Sequence, residues 1–336
     1  MLQRNCYALQ ATLVGVMLYM FKTALVFPGQ GSQSVGMLAD FELEYPIVRG
    51  VFSEASEAAG YDLWDLIQHG PAEQLNQTEY TQVAILTADV AVFRIIQQQN
   101  LFTPTFMAGH SLGEYPALVC AGALTLKEAV NLVSFRAKIM QEAVPMGQGA
   151  MAAIIGFNEE QVRLLCQEAS QGLEVVTPAN FNSPEQIVVA GHTPAIHRLI
   201  SMAEDAGARL AKVIPVSVPC HCPLLSDAAK EFAGYLQDVS FTTPTVKVLN
   251  NVNAQLYTSV DDIREKLTTQ LYSPVRWVEI IKSLKQQDVE LILECGPGKV
   301  LSGLIKRIDR SLDVISVYDT ISLEQVIEHM TISSNP

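Results

Sequence analysis

The sequence predicts an α/β protein. Three observations carry that expectation. Strand-like and helix-like patterns alternate through most of the chain. Apolar residues make up 49% of its 336 residues, enough for a large core. A tight glycine turn, GHSLG at 109–113, joins a short apolar run to a helical one.

The elements follow in order. Residues 1–22 stand apart as an extension. ALQATLVGVMLYMF (8–21) follows Arg4 and resembles the apolar part of a signal peptide, yet it is too short to cross a bilayer. No small-residue cleavage site follows it, and Met20 opens MFKTALVFPGQ, which reads as a complete beginning. Export and stable membrane association are therefore not expected. TALVF (23–27) is a buried strand, VAILTADVAVFRIIQQQ (83–99) a helix, TFMAG (105–109) a strand and LGEYPALVCAG (112–122) a helix. Thr125 with Glu128 forms a capping box that opens a helix to about Glu142.

Between 148 and 215 the rhythm changes. GAMAAIIG is a strand, 158–171 a helix capped by Asn158, and LEVVTPAN and EQIVVAG are strands. Residues 193–206 form a helix with Thr193 as N-cap and Pro194 at N1, and ARLAKVIPV closes the set as a strand. The order βαββαβ is ferredoxin-like, so 148–215 is expected to be a subdomain inserted into a main domain made of 23–147 and 216–336. That main domain resumes with helices at 223–238 and 274–287, strand VELILEC (289–295) and a helix at 298–310.

Charge and cysteines exclude several functions. The net charge is −13 with no basic block, which argues against nucleic acid as a ligand. The six cysteines (6, 120, 166, 220, 222 and 295) lack zinc or redox spacing, and CHC at 220–222 has no second ligand pair nearby. No metal or redox cofactor is expected, and reduced thiols point to a cytoplasmic protein.

GHSLG is G-x-S-x-G between a strand and a helix, the setting of a nucleophile elbow. Gly109 and Gly113 permit the tight turn, Ser111 is left exposed at the strand end, and Leu112 offers an N–H as half of an oxyanion hole. A plainer reading, a turn whose serine only caps the helix, fits the pentapeptide equally well; the strand–helix context favours catalysis. The serine needs a base. Of the six histidines, His69 sits by a Gly-Pro turn, His329 is near the tail, and His192 and His197 fall by the second helix of the insertion. His110 adjoins the serine on a sharp turn and points elsewhere. His221, in VSVPCHCPLL where the chain re-enters the main domain, is the best candidate, with a core or capping histidine as the alternative.

Six stretches now combine: FPGQGSQ (27–33), GHSLGEY (109–115), Arg136 in SFRAKIMQEAVP, NFNSPEQIVVAG (180–191), VSVPCHCPLL (216–225) and LYSPVRW…ECGPGKVLSGL (271–304). In this order and spacing the chain, from about Thr23 to Tyr318, resembles malonyl-CoA:acyl carrier protein transacylases of bacterial fatty-acid synthesis and their trans-acting polyketide relatives. The resemblance implies an α/β-hydrolase-like main domain. It also implies a ping-pong acyltransferase that carries malonyl as an ester on Ser111, with His221 as base. The backbone N–H groups of Gln30 and Leu112 would hold the oxyanion, and the glycines beside Gln30 would let its amide approach. Arg136 would grip the malonyl carboxylate, guanidinium matching the carboxylate fork; a lone helical arginine carries little weight without the resemblance. The Gln270 backbone carbonyl would orient His221 in place of an acid, and Asn182 would line the site. Cys220, just before the base, matches neither familiar polyketide motif, so tolerance of methylmalonyl stays open.

GPGKVL (296–301) lacks phosphate-loop spacing and reads as the start of a helix. That helix carries Lys299, Lys306, Arg307 and Arg310. Lys299, Lys306 and Arg307 are candidate docking residues for the acidic carrier protein, although a solvated helix end explains them as well. The expected partners are acyl carrier protein and malonyl-CoA, with the chain a monomer. The rival functions are a hydrolase of the same fold and a carrier-binding module without catalysis.

Overall fold

The computed structural model describes residues 22–100, 102–216 and 218–333. The expectation for residues 1–22 lies, apart from Lys22, outside the described residues. In chain order the strands are β1 (Thr23–Phe27), β2 (Phe106–Gly109), β3 (Gly149–Ile155), β4 (Val176–Ser183), β5 (Gln186–His192), β6 (Leu210–Ile214), β7 (Lys247–Leu249), β8 (Leu291–Cys295) and β9 (Asp313–Val317). They form a five-stranded parallel sheet in the order β7-β2-β1-β8-β9 and a four-stranded antiparallel sheet in the order β4-β5-β3-β6.

The parallel sheet is buried on both faces, as period-two alternation shows. Leu25 and Phe27 of β1 face one core, with Val51, Phe93, Val133 and other residues of helices Ile47–Ala59, Thr78–Gln99 and Leu126–Ala143. Ala24 and Val26 face a second core, packed by Trp277, Ile281, Leu301 and Ile305 of helices Trp277–Gln286 and Val300–Ile308. The antiparallel sheet has a core of its own, where Ala152, Ile154, Val189 and Phe181 meet helices Glu159–Ala169 and Thr193–Asp205. Its strand order is that of the ferredoxin-like arrangement expected for βαββαβ.

Local chemistry explains the element ends. Thr125 and Glu128 form the expected reciprocal cap, and Asn158 with Gln161 forms another. Several boundaries differ from expectation, and helix Val300–Ile308 stops short of Arg310. Helix Thr78–Gln99 begins five residues earlier than the apolar run at 83. Thr193 is not the N-cap of its helix: His192 holds that position, and the Thr193 hydroxyl donates to the Gly147 carbonyl instead. The second strand of the insertion runs to Ser183, with irregular pairing at Pro178/Asn180 and Phe181/Ser183. That departure ties the antiparallel sheet to the segment before helix Trp277–Gln286, since Phe181 N–H donates to Val275 O and Val275 N–H to Ala179 O, both at 2.9 Å.

Candidate active site

The loops that follow β1, β2, β7 and β8 all leave the carboxyl edge of the parallel sheet, where open α/β sheets place their sites. The loop after β2 is the elbow. Close packing explains its glycines: a Cβ on Gly109 would lie 1.9 Å from the Gly113 carbonyl group, and one on Gly113 would lie 2.1 Å from Phe27 O. Ser111 is held at φ 54°, in the left-handed region that a non-glycine residue adopts rarely. The helix after it opens with one tight turn over Ser111–Gly113 before Glu114–Cys120.

Ser111 Oγ lies 2.6 Å from His221 Nε2, and His221 Nδ1–H donates to the Gln270 backbone carbonyl at 2.7 Å. The base too has left-handed backbone, with φ 60°. Its own N–H donates to Leu271 O at 3.0 Å. Burial, helped by the Arg136 charge, pushes the imidazole down to about 3. It is therefore neutral at rest, as a general base must be. Ser111 and His221 open into one cavity of about 250 Å³, also lined by Gln30, His110, Asn182, Cys220 and the apolar side chains of Met151, Val188 and Leu304.

Gly29 brings the loop after β1 against the elbow, for a Cβ there would lie 2.6 Å from His110 O and 3.8 Å from Leu112 N. Gly31, at φ 102°, serves the turn itself. Among the described residues no acceptor engages the N–H of Gln30 or of Leu112. Asn182 reaches the site from the second sheet, accepting at 2.7 Å from His110 Nε2–H. His110 thus points away from the nucleophile and packs edge-on against Trp277.

Arg136 is 1% exposed. Its guanidinium donates to Gln82 Oε1 at 2.9 Å and Gln270 Oε1 at 3.2 Å and lies over the Tyr115 ring, while its Nε has no acceptor. Among the described residues no carboxylate pairs with it at ion-pair distance. A buried cation satisfied by amides alone is costly unless an anion visits it.

The basic residues divide. Lys306, Arg307 and Arg310 line a second cleft of about 930 Å³ with Arg209, Ser183, Glu185 and Gln186. Gln186 lines both cavities, so the cleft adjoins the reaction site. Lys299 lines neither cavity; it immediately precedes helix Val300–Ile308.

Sequence reasoning missed four contributors. Asn251, two residues past β7, accepts from Ser111 N–H at 2.7 Å and donates to Gly109 O at 2.7 Å. Glu114 and the side chain of Gln270 lie directly beneath the elbow, and Gln82 faces Arg136. The available signals were slight: an acid at the start of an apolar helix, and paired asparagines after a short apolar run.

Comparison with known proteins places this geometry. Residues 24–325 match the family model described as acyl transferase domain. The chain is 52% identical over 309 residues to the malonyl CoA-acyl carrier protein transacylase of Escherichia coli K12, covering 92% of this chain and 100% of that one. A solved malonyl CoA-acyl carrier protein transacylase from Coxiella burnetii superposes with TM-score 0.91 at 50% identity, covering 93% of this chain and 98% of its own. A malonyl-transacylase solved in complex with its type II polyketide-synthase acyl-carrier protein matches with TM-score 0.90 at 48% identity, covering 92% of this chain and 99% of its own. The chain belongs to the acyl transferase domain family and, within it, to the malonyl-CoA:acyl carrier protein transacylases.

Proposed function

We propose that the protein moves malonyl from malonyl-CoA to the phosphopantetheine thiol of acyl carrier protein, through an ester on Ser111. Ser111 Oγ bonds to the thioester carbonyl carbon as its proton passes to His221 Nε2. The C–S bond then breaks, and the proton leaves with the CoA sulfur. In the second half the carrier thiol gives its proton to His221 as sulfur attacks the ester. The C–Oγ bond breaks, and Oγ recovers the proton. Charge on the reacting oxygen is met by the N–H groups of Gln30 and Leu112, donors of a kind worth about 10²–10³ each in rate. A backbone carbonyl behind the imidazole fixes its tautomer but supports imidazolium less than a carboxylate would, which suits an activated thioester.

The observation that carries this reading is the 2.6 Å contact between Ser111 Oγ and His221 Nε2 at the wall of a shared cavity. Arg136 gives the reading its substrate: a buried guanidinium with no carboxylate at ion-pair distance among the described residues, whose charge acts on His221, is matched by the free carboxylate of a malonyl group. The same feature disfavours a broad acyl hydrolase. The domain boundaries at 147/148 and 215/216 put the site between the main domain and the insertion, and the cleft beside Lys306 and Arg307 is where the carrier docks. The chain acts as a monomer in the cytoplasm.

Incubation with radiolabelled malonyl-CoA tests the function. Label should stay on the protein, chase onto added carrier protein, and be absent in Ser111→Ala. Release as free malonate would make the protein a hydrolase, and no label at all would leave it a binding module.

A further inference from the structure

Glu114 lies beneath the elbow and is fully buried. Its partners are donors. The Tyr257 hydroxyl donates to Oε1, Gln270 Nε2 donates to Oε2 at 2.6 Å, and the Asn251 N–H stands 3.3 Å from both oxygens. Two of these partners grip the nucleophile's own peptide groups. Asn251 holds the Ser111 N–H, and Gln270 Nε2 donates to the Ser111 carbonyl at 3.0 Å. Gln270 also supplies the carbonyl that orients His221. The nucleophile's grips and the base's orienter therefore converge on one carboxylate.

We infer that Glu114 is a positioning residue for acyl transfer, whose ionised carboxylate sets the approach of Ser111 Oγ to His221 Nε2 by holding Asn251 and Gln270. The inference rests on the transferase reading above. A second feature strengthens it. The other end of the Gln270 amide is held by Arg136, which donates to its Oε1. When Arg136 turns to a substrate carboxylate, Glu114 keeps Gln270 in place.

The charges around Glu114 come from several elements. Arg136 faces it from helix Leu126–Ala143, Tyr115 is its neighbour, and Tyr257 precedes helix Val260–Gln270, where Asp262 acts on Tyr257 in turn. Burial outweighs the hydrogen bonds and Arg136 and pushes Glu114 up to about 7. A proton on Glu114 would place an O–H against a donor, loosening the grip. Burial holds His221 well below this range, so the acid limb near neutrality is assigned to Glu114, and the variant profiles decide that assignment.

The test is rapid-quench malonyl loading of Ser111 across pH, in the wild type, Glu114→Gln and Tyr257→Phe. The wild-type limiting rate should fall as pH drops through about 7. Glu114→Gln should load about tenfold or more slowly above that limb, part of the ~10²–10⁴ a positioned base supplies. Its half-saturating malonyl-CoA concentration should be nearly unchanged, and the limb should be gone. Tyr257→Phe removes a donor that lowers Glu114, so its limb should move to higher pH. A wild-type rate or a persisting limb in Glu114→Gln overturns the inference. A limb that stays put in Tyr257→Phe also overturns it, even if Glu114→Gln does not fold. Ser111→Ala, run beside them, tells the two failures apart: label on that variant would sink the transferase reading and the inference with it, whereas a wild-type rate or a persisting limb in Glu114→Gln, with Ser111→Ala unlabelled, overturns the role of Glu114 alone.

Discussion

Arg136 and His221 carry separate predictions at the scale of the single residue. Arg136→Ala removes a buried cation whose partners are two glutamine amides and a tyrosine ring. Loss of a buried charge partner commonly costs about 2–5 kcal/mol, so kcat/KM for malonyl-CoA should fall by that measure, while loading of acetyl, which lacks the carboxylate, should rise relative to it. Equal loading of malonyl in variant and wild type would remove the clamp. His221 predicts a pH effect on folding. Burial pushes its pKa down from 6.5 to about 3 in the folded protein, so between those values the unfolded chain binds the extra proton. The stability tied to a neutral His221 is intact above 6.5 and drains away as pH falls toward 3. Glu114 runs the other way: its raised value favours the folded state below 4.5, a contribution lost as pH rises through about 7. His221→Gln isolates the first effect. Urea titrations should show the variant gaining on the wild type as pH is lowered below 6.5; a constant difference would contradict the buried neutral imidazole.

At the scale of the element, helix Val300–Ile308 holds the sharpest test. Lys306 and Arg307 lie in its last turn and line the basic cleft. Reversing both charges should raise the apparent KM for carrier protein several-fold while changing malonyl loading from CoA far less. Steady-state kinetics against varied carrier protein decides it, and unchanged carrier kinetics would clear the helix of a docking role. Elements also show what a sequence can disclose. The elbow was legible because its constraint is local: two glycines at fixed spacing and a strand that must stop. The caps of Thr125 and Asn158 were legible for the same reason. β7 was not, because three residues of an edge strand have no period to read. With β7 went Asn251, whose bond to Ser111 spans 140 positions. Thr193 was misread because the local N-cap preference favours threonine over histidine, whereas here its hydroxyl is taken by the distant Gly147 carbonyl and His192 holds the cap position in extended backbone. Arg136 and the Gln270 carbonyl were legible only through family resemblance, since burial of one arginine and the direction of one carbonyl are decided by tertiary packing.

For the whole molecule the telling quantity is charge. A protein of net charge −13 repels an acidic partner at long range, yet the cleft gathers Arg209, Lys306, Arg307 and Arg310 against one Glu185. These opposing fields predict opposite salt effects. If the cleft governs approach, added salt slows transfer to carrier protein; if net charge governs, salt speeds it. The cleft adjoins the reaction cavity, so slowing is the expected result, measured as kcat/KM for carrier protein between low and moderate ionic strength. Acceleration would argue that docking occurs elsewhere. The two layers also differ in exposure. The parallel sheet is covered on both faces, whereas β6 at the edge of the second sheet is largely open to solvent.

The left-handed backbone of Ser111 and His221 has a consequence for portability. Neither residue would choose that conformation in a free peptide, where it costs roughly 1–3 kcal/mol. What imposes it comes from distant chain: the asparagine amide after β7, and the carbonyl of Leu271. GHSLG transplanted into a foreign strand–helix junction would relax to right-handed helix, swing its alcohol out of line, and bring no chemistry with it.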